Sequence, residues 1–425
     1  MSVRVAVMTA GSRGDVAPFT GLGHGLALAG HEVTLVTHAR FAPLAARAGL
    51  GFRPLPLDPR AVLASAKGQD LHRSGSGIGK MNRLFALVRE QVGALADDLL
   101  AAAGHSDVLL LAPAIAPLGH AVADGLGLPA AELHLQPQAP TRVFAPPLLG
   151  ARSFGPLGNR LGAHAVNAGL DRLFADSTRT LRARLGAPQV GVHAARRARD
   201  RRLLPVHHGF SPLVVPRPRD WRPGLTVDGY WWSYDPPDAE LPYEVAKFLD
   251  AGPPPVYVGL GSATAPDPER LSATIVGALR AAGLRGVIQR GWSGLAADGD
   301  DMLTVGELPH SVLFPRTAAV VHHAGAGTTA AALRAGVPSV PLPVQFDAAF
   351  WSARLRALGV APDIVPLRTL TERPGSADRL TAALVRAAAA DSPHRNRARA
   401  LAARLAGEDG VLPVARTVER LAARR

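Results

Sequence analysis

The sequence predicts an α/β protein of two Rossmann-like, doubly wound domains facing each other across a cleft. A strand, turn, helix, strand pattern opens the chain, the same pattern returns about half a chain later, and the stretch between them cannot be one long helix. In the first unit Val3-Arg4-Val5-Ala6-Val7-Met8 is apolar enough for a buried parallel strand. Gly11-Ser12-Arg13-Gly14-Asp15 is the turn, a helix runs to Leu28, and Glu32-Val33-Thr34-Leu35-Val36 is the second strand. In the second unit the strand is Pro255 to Leu260, the turn Gly261-Ser262-Ala263-Thr264, the helix Pro268 to Ala282, and the next strand Gly286-Val287-Ile288-Gln289. Between them, Pro205 to Pro255 is rich in Pro, Trp and Tyr. Proline removes a backbone donor and clashes with the preceding turn, so this stretch reads as the connection. The expected division is a first domain over 1–215, a linker over 216–245, a second domain over 246–400, and an Ala- and Arg-rich helix over 401–425 crossing back to the first.

At 425 residues the chain is too long for one ordinary core, and 47% hydrophobic with 19% charged residues describes a folded soluble protein. It has no cysteine, which excludes disulfides and thiolate metal sites. No basic segment with a long apolar run follows Met1 and no later segment is apolar enough to span a bilayer, so a cytoplasmic location is expected. The net charge of +13 raises nucleic-acid binding, but the Arg residues are scattered among Ala-rich helices, Lys occurs only at 67, 80 and 247, and aromatic content is 5%. Even the densest cluster, Arg196, Arg197, Arg199, Arg201 and Arg202, lacks interleaved stacking residues. A solvated face is expected, with no nucleic-acid partner and at most weak peripheral contact with an anionic membrane.

The chemistry concentrates where strands turn into helices. His322-His323-Ala324-Gly325-Ala326-Gly327-Thr328-Thr329 lies between the apolar run Ala318 to Val321 and the helix former Ala330 to Arg334. A strand ending in this way aims bare amides and the positive end of a helix at one point, which suits a diphosphate. The first turn lacks the G-x-G-x-x-G spacing, and the second strand ends Val36-Thr37-His38 with no acidic residue to hold a ribose, which disfavours a nicotinamide enzyme. That turn offers instead the Ser12 hydroxyl, the Arg13 guanidinium and the Asp15 carboxylate at the end of a central strand. Asp15 alone reads equally as a helix cap. Ser74 to Met81 has the look of a P-loop, but Ser stands first and Met81 replaces the magnesium-holding hydroxyl, so a flexible loop is expected. Asp298, Asp300 and Asp301 read as a solvated turn, and no spacing for a metal is found.

On these segments the chain resembles glycosyltransferase family 1, of the GT-B fold, and especially its bacterial natural-product and sterol-glycosyltransferase-like branch. The resemblance covers nearly the full length, from Gly11-Ser12-Arg13-Gly14-Asp15-Val16 through Pro216-Arg217-Pro218-Arg219-Asp220-Trp221 and Gly229-Tyr230-Trp231 to the His322–Thr329 run. It implies inverting transfer of a sugar from a nucleoside diphosphate, TDP- or UDP-linked, on the C-terminal domain to an acceptor on the N-terminal domain, without metal or other cofactor. By motif position it makes Asp15 the base on the acceptor hydroxyl. His323, the amides of Gly325, Ala326, Gly327 and Thr328, and the Thr328 hydroxyl would hold the diphosphate, joined by Ser262 and, from the other domain, Ser12 and Arg13. The Leu308 backbone would face the nucleobase, Trp292 either packs on the base or is a core residue, and Asp347 would accept from a sugar hydroxyl.

One departure stands out. Members with glucose-type donors carry an acidic residue followed by Gln where this chain has Asp347-Ala348. A methyl group cannot replace the lost amide, so a donor poorer in hydroxyls, a deoxysugar, is expected unless Gln345 or water fills the gap. The loop from Gln136 to Leu149 and the Gly/Ser loop at 74–79 are expected to shape an apolar pocket for a lipophilic polyketide, macrolide or terpenoid. The expected partners are thus a small-molecule donor and a lipophilic acceptor, with the protein a monomer or homodimer. Two alternatives stay open: a sterol or membrane-lipid glycosyltransferase, and a non-catalytic helper that binds a nucleotide sugar.

Overall fold

The computed structural model describes residues 2–56, 95–344 and 347–424; the P-loop-like run at 74–81 and Gln345 lie outside the described residues. Seven parallel strands form the first sheet: β1 (Arg4–Met8), β2 (Glu32–His38), β3 (Gly51–Leu55), β4 (Val108–Leu111), β5 (Ala130–His134), β6 (Val206–His208) and β7 (Leu225–Val227), in the order β3-β2-β1-β4-β5-β6-β7. The second has five: β8 (Val256–Gly259), β9 (Gly286–Gln289), β10 (Met302–Val305), β11 (Ala319–His322) and β12 (Ser339–Pro341), in the order β10-β9-β8-β11-β12. Central strands such as β4 and β8 are buried along their whole length. That is why they read as continuous apolar runs rather than alternating ones.

The topology decides where chemistry can happen. In each sheet the strand order reverses once, between β1 and β4 and between β8 and β11, and open α/β sheets leave a crevice at the carboxyl ends there. The turn after β1 leads into the helix Arg13–Leu28, and the turn after β11 into the helix Ala326–Arg334. Ser12 to Asp15 and His323 to Thr328 thus both sit at reversal points.

The Pro-rich stretch 216–245 differs from its reading as pure connection, because Leu225–Val227 pairs with β6 and extends the first sheet by a strand. Three residues between Pro223 and Gly229 are too short to show a strand period, and Pro nearby is tolerated only because this is the sheet edge. On either side of it, Val206, Phe210, Trp221 and Tyr230 share one apolar cluster with Ala324, Leu333, Trp351, Leu401 and Leu405 of the other half. The helix Leu412–Ala422 then packs Val414, Ala415 and Val418 into the core of the first sheet, beside Val5, Phe19 and Trp231. The Trp231 indole donates to the Gly410 carbonyl at 2.8 Å and fixes the return. No helix among the described residues is long and apolar enough to cross a membrane.

The helix Arg13–Leu28 is braced from behind by residues 231–234. The Tyr234 amide donates to the Thr20 hydroxyl at 2.9 Å, and Gly21 meets the Trp232 carbonyl so closely that a Cβ there would overlap its oxygen. Helix propensity and packing therefore oppose each other at this position. Ala is the better helix former by about 1 kcal/mol, whereas overpacking costs about 1–3 kcal/mol. Gly21→Ala is expected to lower the thermal unfolding temperature; a rise would show that the helix does not press on this segment.

Candidate active site

The first turn is folded around its own carboxylate. Asp15 stands in the first turn of the helix Arg13–Leu28, after Ser12 as N-cap, and its Oδ2 accepts from the Ser12 amide at 2.8 Å and the Ser12 hydroxyl at 2.9 Å. The reciprocal contact of a capping box is thus made, and the cap reading of Asp15 holds for Oδ2 alone. Both bonds fall on one oxygen, which leaves Oδ1 to take a proton. Burial holds the Asp15 pKa above the ordinary carboxylate value, and the two Ser12 bonds work against it. Gly11, at φ +140, lies against this carboxylate where a Cβ would overlap it.

Across the cleft, the helix Ala326–Arg334 begins at Gly325 with no side-chain cap, and its first intrahelical bond runs from the Thr329 amide to the Gly325 carbonyl. The amides of Ala326, Gly327 and Thr328 precede that bond and are the unfilled donors of the helix end. The His323 ring lies between Gly325 and the Gly261 turn, close enough that a Cβ on either glycine would crowd it. Ser262 follows Gly261, so the structure brings this turn, His323 and the helix end together. Trp292 joins them through its amide, which donates to the Gly261 carbonyl at 3.0 Å. Burial pulls His323 down to about 4, with the Gly259 backbone opposing, and pulls His310 and His322 down to about 3. Leu308 packs its side chain inward toward Leu313 and Phe314.

Three contacts join the two sides. Arg13 Nη1 donates to Glu307 at 2.9 Å, a half-exposed pair one residue before Leu308. The Arg40 guanidinium lies 5.4 Å from the Trp292 ring centroid and 5.3 Å from that of Phe41. Asp347 accepts from the Trp351 indole at 2.6 Å and is near enough to Asp15 for their charges to interact. Trp292 is partly buried and stands outside the apolar core clusters. Glu307, Arg40 and His38 are functional candidates that sequence reading missed, because their partners are distant in the chain. Asp301, by contrast, pairs with Arg280 at 2.8 Å on the surface, as a solvated turn would.

Residues 5–143 match the model of the glycosyltransferase family 28 N-terminal domain, and residues 287–421 that of the erythromycin biosynthesis protein CIII-like C-terminal domain. The chain is 37% identical over 421 residues to O-mycaminosyltylonolide 6-deoxyallosyltransferase of Streptomyces fradiae, covering 96% of this chain and 95% of that protein. The chain belongs to the natural-product and sterol branch of the GT-B glycosyltransferases. A sterol 3-beta-glucosyltransferase of Arabidopsis thaliana is 33% identical over 377 residues, or 86% of this glycosyltransferase, which spans only 58% of the plant protein's length. The glycosyltransferase SsfS6 of Streptomyces sp. SF2575, solved with thymidine diphosphate, shares the fold at a TM-score of 0.64 and 22% identity, over 98% of this chain and 99% of that one. As a glycosyltransferase the protein is an enzyme, and the reading as a non-catalytic helper is set aside.

Burial pushes Asp347 up to about 6; the Asp15 charge adds to this and the Trp351 bond opposes it. A raised carboxylate pKa means that the ionised form is lost as pH falls through that value. On the reading of Asp15 as base and Asp347 as acceptor of a sugar hydroxyl, Asp15 takes a proton only when ionised, and Asp347 accepts most strongly in that form. In this glycosyltransferase kcat/KM should therefore fall as pH drops below about 6, and in Asp347→Asn, which removes the like charge beside Asp15, the limb should move to lower pH. Initial rates from about pH 5 to about pH 9 check this; a profile flat to the acid end contradicts it.

Proposed function

We propose that this glycosyltransferase moves a sugar, with inversion and without a metal, from a TDP- or UDP-linked donor to a hydroxyl of a lipophilic natural-product aglycone. The observation that supports it most is the pairing of the two reversal-point turns, a desolvated Asp15 on one side and an uncapped helix end beside His323 on the other. Inverting displacement needs a base on the attacking hydroxyl and stabilisation of the leaving group on the opposite face of the anomeric carbon. Asp15 takes the proton as the acceptor oxygen attacks. The amides of Ala326, Gly327 and Thr328, the Thr328 and Ser262 hydroxyls, His323 and Arg13 meet the charge on the departing diphosphate. The partly buried Trp292 and the Leu308 backbone stand beside this cradle, where a nucleobase would lie.

On the donor sugar, two observations favour a deoxysugar. Asp347 gives one carboxylate oxygen to Trp351, and Ala348 is 3% exposed and buried with Phe350 and Trp351 in the shared cluster, so this pair presents little hydrogen-bonding capacity. The Streptomyces fradiae relative is named for a 6-deoxyallosyl group, and the solved SsfS6 carries thymidine diphosphate. For the acceptor, a cavity of about 330 Å³ opens beside the Asp15 turn, lined by His38, Ala39, Arg40, Pro54, Leu55, Pro56 and Asp98, and its mainly apolar wall suits a lipophilic ring system. A sterol or membrane-lipid acceptor is the second reading, supported by the likeness to the plant sterol glucosyltransferase.

A mass-spectrometric screen of nucleoside diphosphate sugars against macrolide, polyketide, terpenoid and sterol acceptors tests both readings. With the best pair, kcat/KM should be higher for a thymidine diphosphate deoxysugar than for uridine diphosphate glucose; equal or reversed values remove the deoxysugar assignment. Asp15→Asn should lower kcat by roughly 10²–10⁴-fold, the usual share of a general base, while thymidine diphosphate still binds. His323→Ala should weaken that binding and slow transfer together, and a chelator should leave the rate unchanged. Near-normal turnover by Asp15→Asn would give the base role to another residue.

A further inference from the structure

The ring of His38 belongs to neither strand-to-helix turn, yet it holds the turn that carries Asp15. His38 ends β2, the strand beside β1, and is 2% exposed. Its Nε2 accepts the Gly11 amide at 2.9 Å. A backbone amide only donates, so Nε2 carries no proton and the ring is neutral, with its hydrogen on Nδ1. The Gly11 backbone so anchored is the one whose φ of +140 and missing Cβ let it lie against the Asp15 carboxylate. The next amide in the chain, that of Ser12, donates to Asp15 Oδ2. An unbroken series of contacts therefore runs from the imidazole through Gly11 and Ser12 to the carboxylate. Without the ring nitrogen, the Gly11 amide becomes a half-buried donor with no acceptor, and a turn in a glycine-only conformation loses its tether.

The same ring forms one wall of the cavity of about 330 Å³, with Ala39 and Arg40 on its own segment and Pro54, Leu55 and Pro56 opposite. The end of β2 thus touches both the turn that bears the carboxylate and the space next to it.

We propose that His38 is a positioning residue for sugar transfer: its Nε2 fixes the Gly11–Asp15 turn so that the carboxylate is aimed at an acceptor hydroxyl held in the adjoining cavity. The proposal rests on the reading of Asp15 as base and of this cavity as the acceptor site. It assigns His38 no proton transfer and no contact with the donor.

The test uses the full chain with His38→Leu and His38→Gln, assayed with the best donor and acceptor pair from the screen. A Gln carbonyl oxygen reaches the place of Nε2 and accepts the Gly11 amide, whereas Leu fills the space without an acceptor. Displacing a reacting group by about 1 Å costs on the order of 10²-fold. The expected result is a kcat loss of that order in His38→Leu and recovery of at least about a tenth of the wild-type kcat in His38→Gln. Thymidine diphosphate affinity, measured by calorimetry, should stay within about threefold of wild type in both, because the second domain's turns are untouched. The proposal is overturned if His38→Leu keeps its kcat within about threefold, or if both variants are equally slow with nucleotide binding intact. It is also overturned if His38→Leu loses nucleotide binding along with its unfolding temperature, which would mark a general prop. Asp15→Asn, run alongside, separates the two levels. Normal turnover there sinks the base assignment and this proposal with it, whereas an inactive Asp15→Asn beside a fully active His38→Leu sinks this proposal alone.

Discussion

Desolvation of the cleft governs the rest of the site. Burial raises Asp15 and Asp347 and lowers His310, His322 and His323, so every one of these groups is driven toward its neutral form. At neutral pH the three imidazoles therefore offer dipoles rather than charges. On the proposed reading, the counterweight to a diphosphate comes from the unfilled amides at the start of the helix Ala326–Arg334 and from Arg13. Oriented dipoles of this kind are cheap to keep in a dry site, whereas a fixed buried charge without a partner is not. Arg13 fits the same logic, because its bond to Glu307 joins two half-exposed groups. Such a pair contributes little stability, so exchanging the carboxylate for a phosphate costs little.

The parts of the fold that were legible in the sequence are those whose burial is uniform. The β1 and β8 units could be read almost residue for residue, since strands covered on both faces appear as plain apolar runs and the following turns carry their glycines openly. Strand β7 could not be read. Leu225–Val227 has no period to show, and it pairs only because the chain after Pro223 returns to the sheet edge. The site was legible to the same limit. The two turns could be found from their residues, but that both lie at reversal points, and so face one cleft, follows from strand order, which no local pattern encodes.

His38 shows how a correct local inference can miss its complement. The absence of an acidic residue after Val36-Thr37 counts against a ribose-binding strand end, and that argument stands. What it does not show is that the residue in that place turns back to the first turn and accepts the amide of Gly11. The partner lies 27 residues upstream, on the neighbouring strand's exit, and a lone His at the end of the strand Glu32–His38 has no periodicity to mark it. Arg40 and Trp292 are harder still, because each follows a strand of a different sheet and their contact exists only once both domains have docked.

Ala324 ties the proposed donor cradle to that docking. It sits between His323 and Gly325 at φ +62, a left-handed conformation that Gly would adopt freely and that costs another residue about 1–2 kcal/mol. Glycine in its place would relieve the backbone but remove the methyl group, which is fully buried in the cluster shared by Val206, Phe210 and Tyr230 of the first half and Leu333 and Trp351 of the second. Burial of one methyl contributes about 0.8 kcal/mol, so the packing offsets much of the strain, and it also pins the turn at one point. The direction in which His323 and the following amides face is thus set by an apolar contact that both halves of the chain build, and the same packing that joins the domains aims the proposed anion site between them.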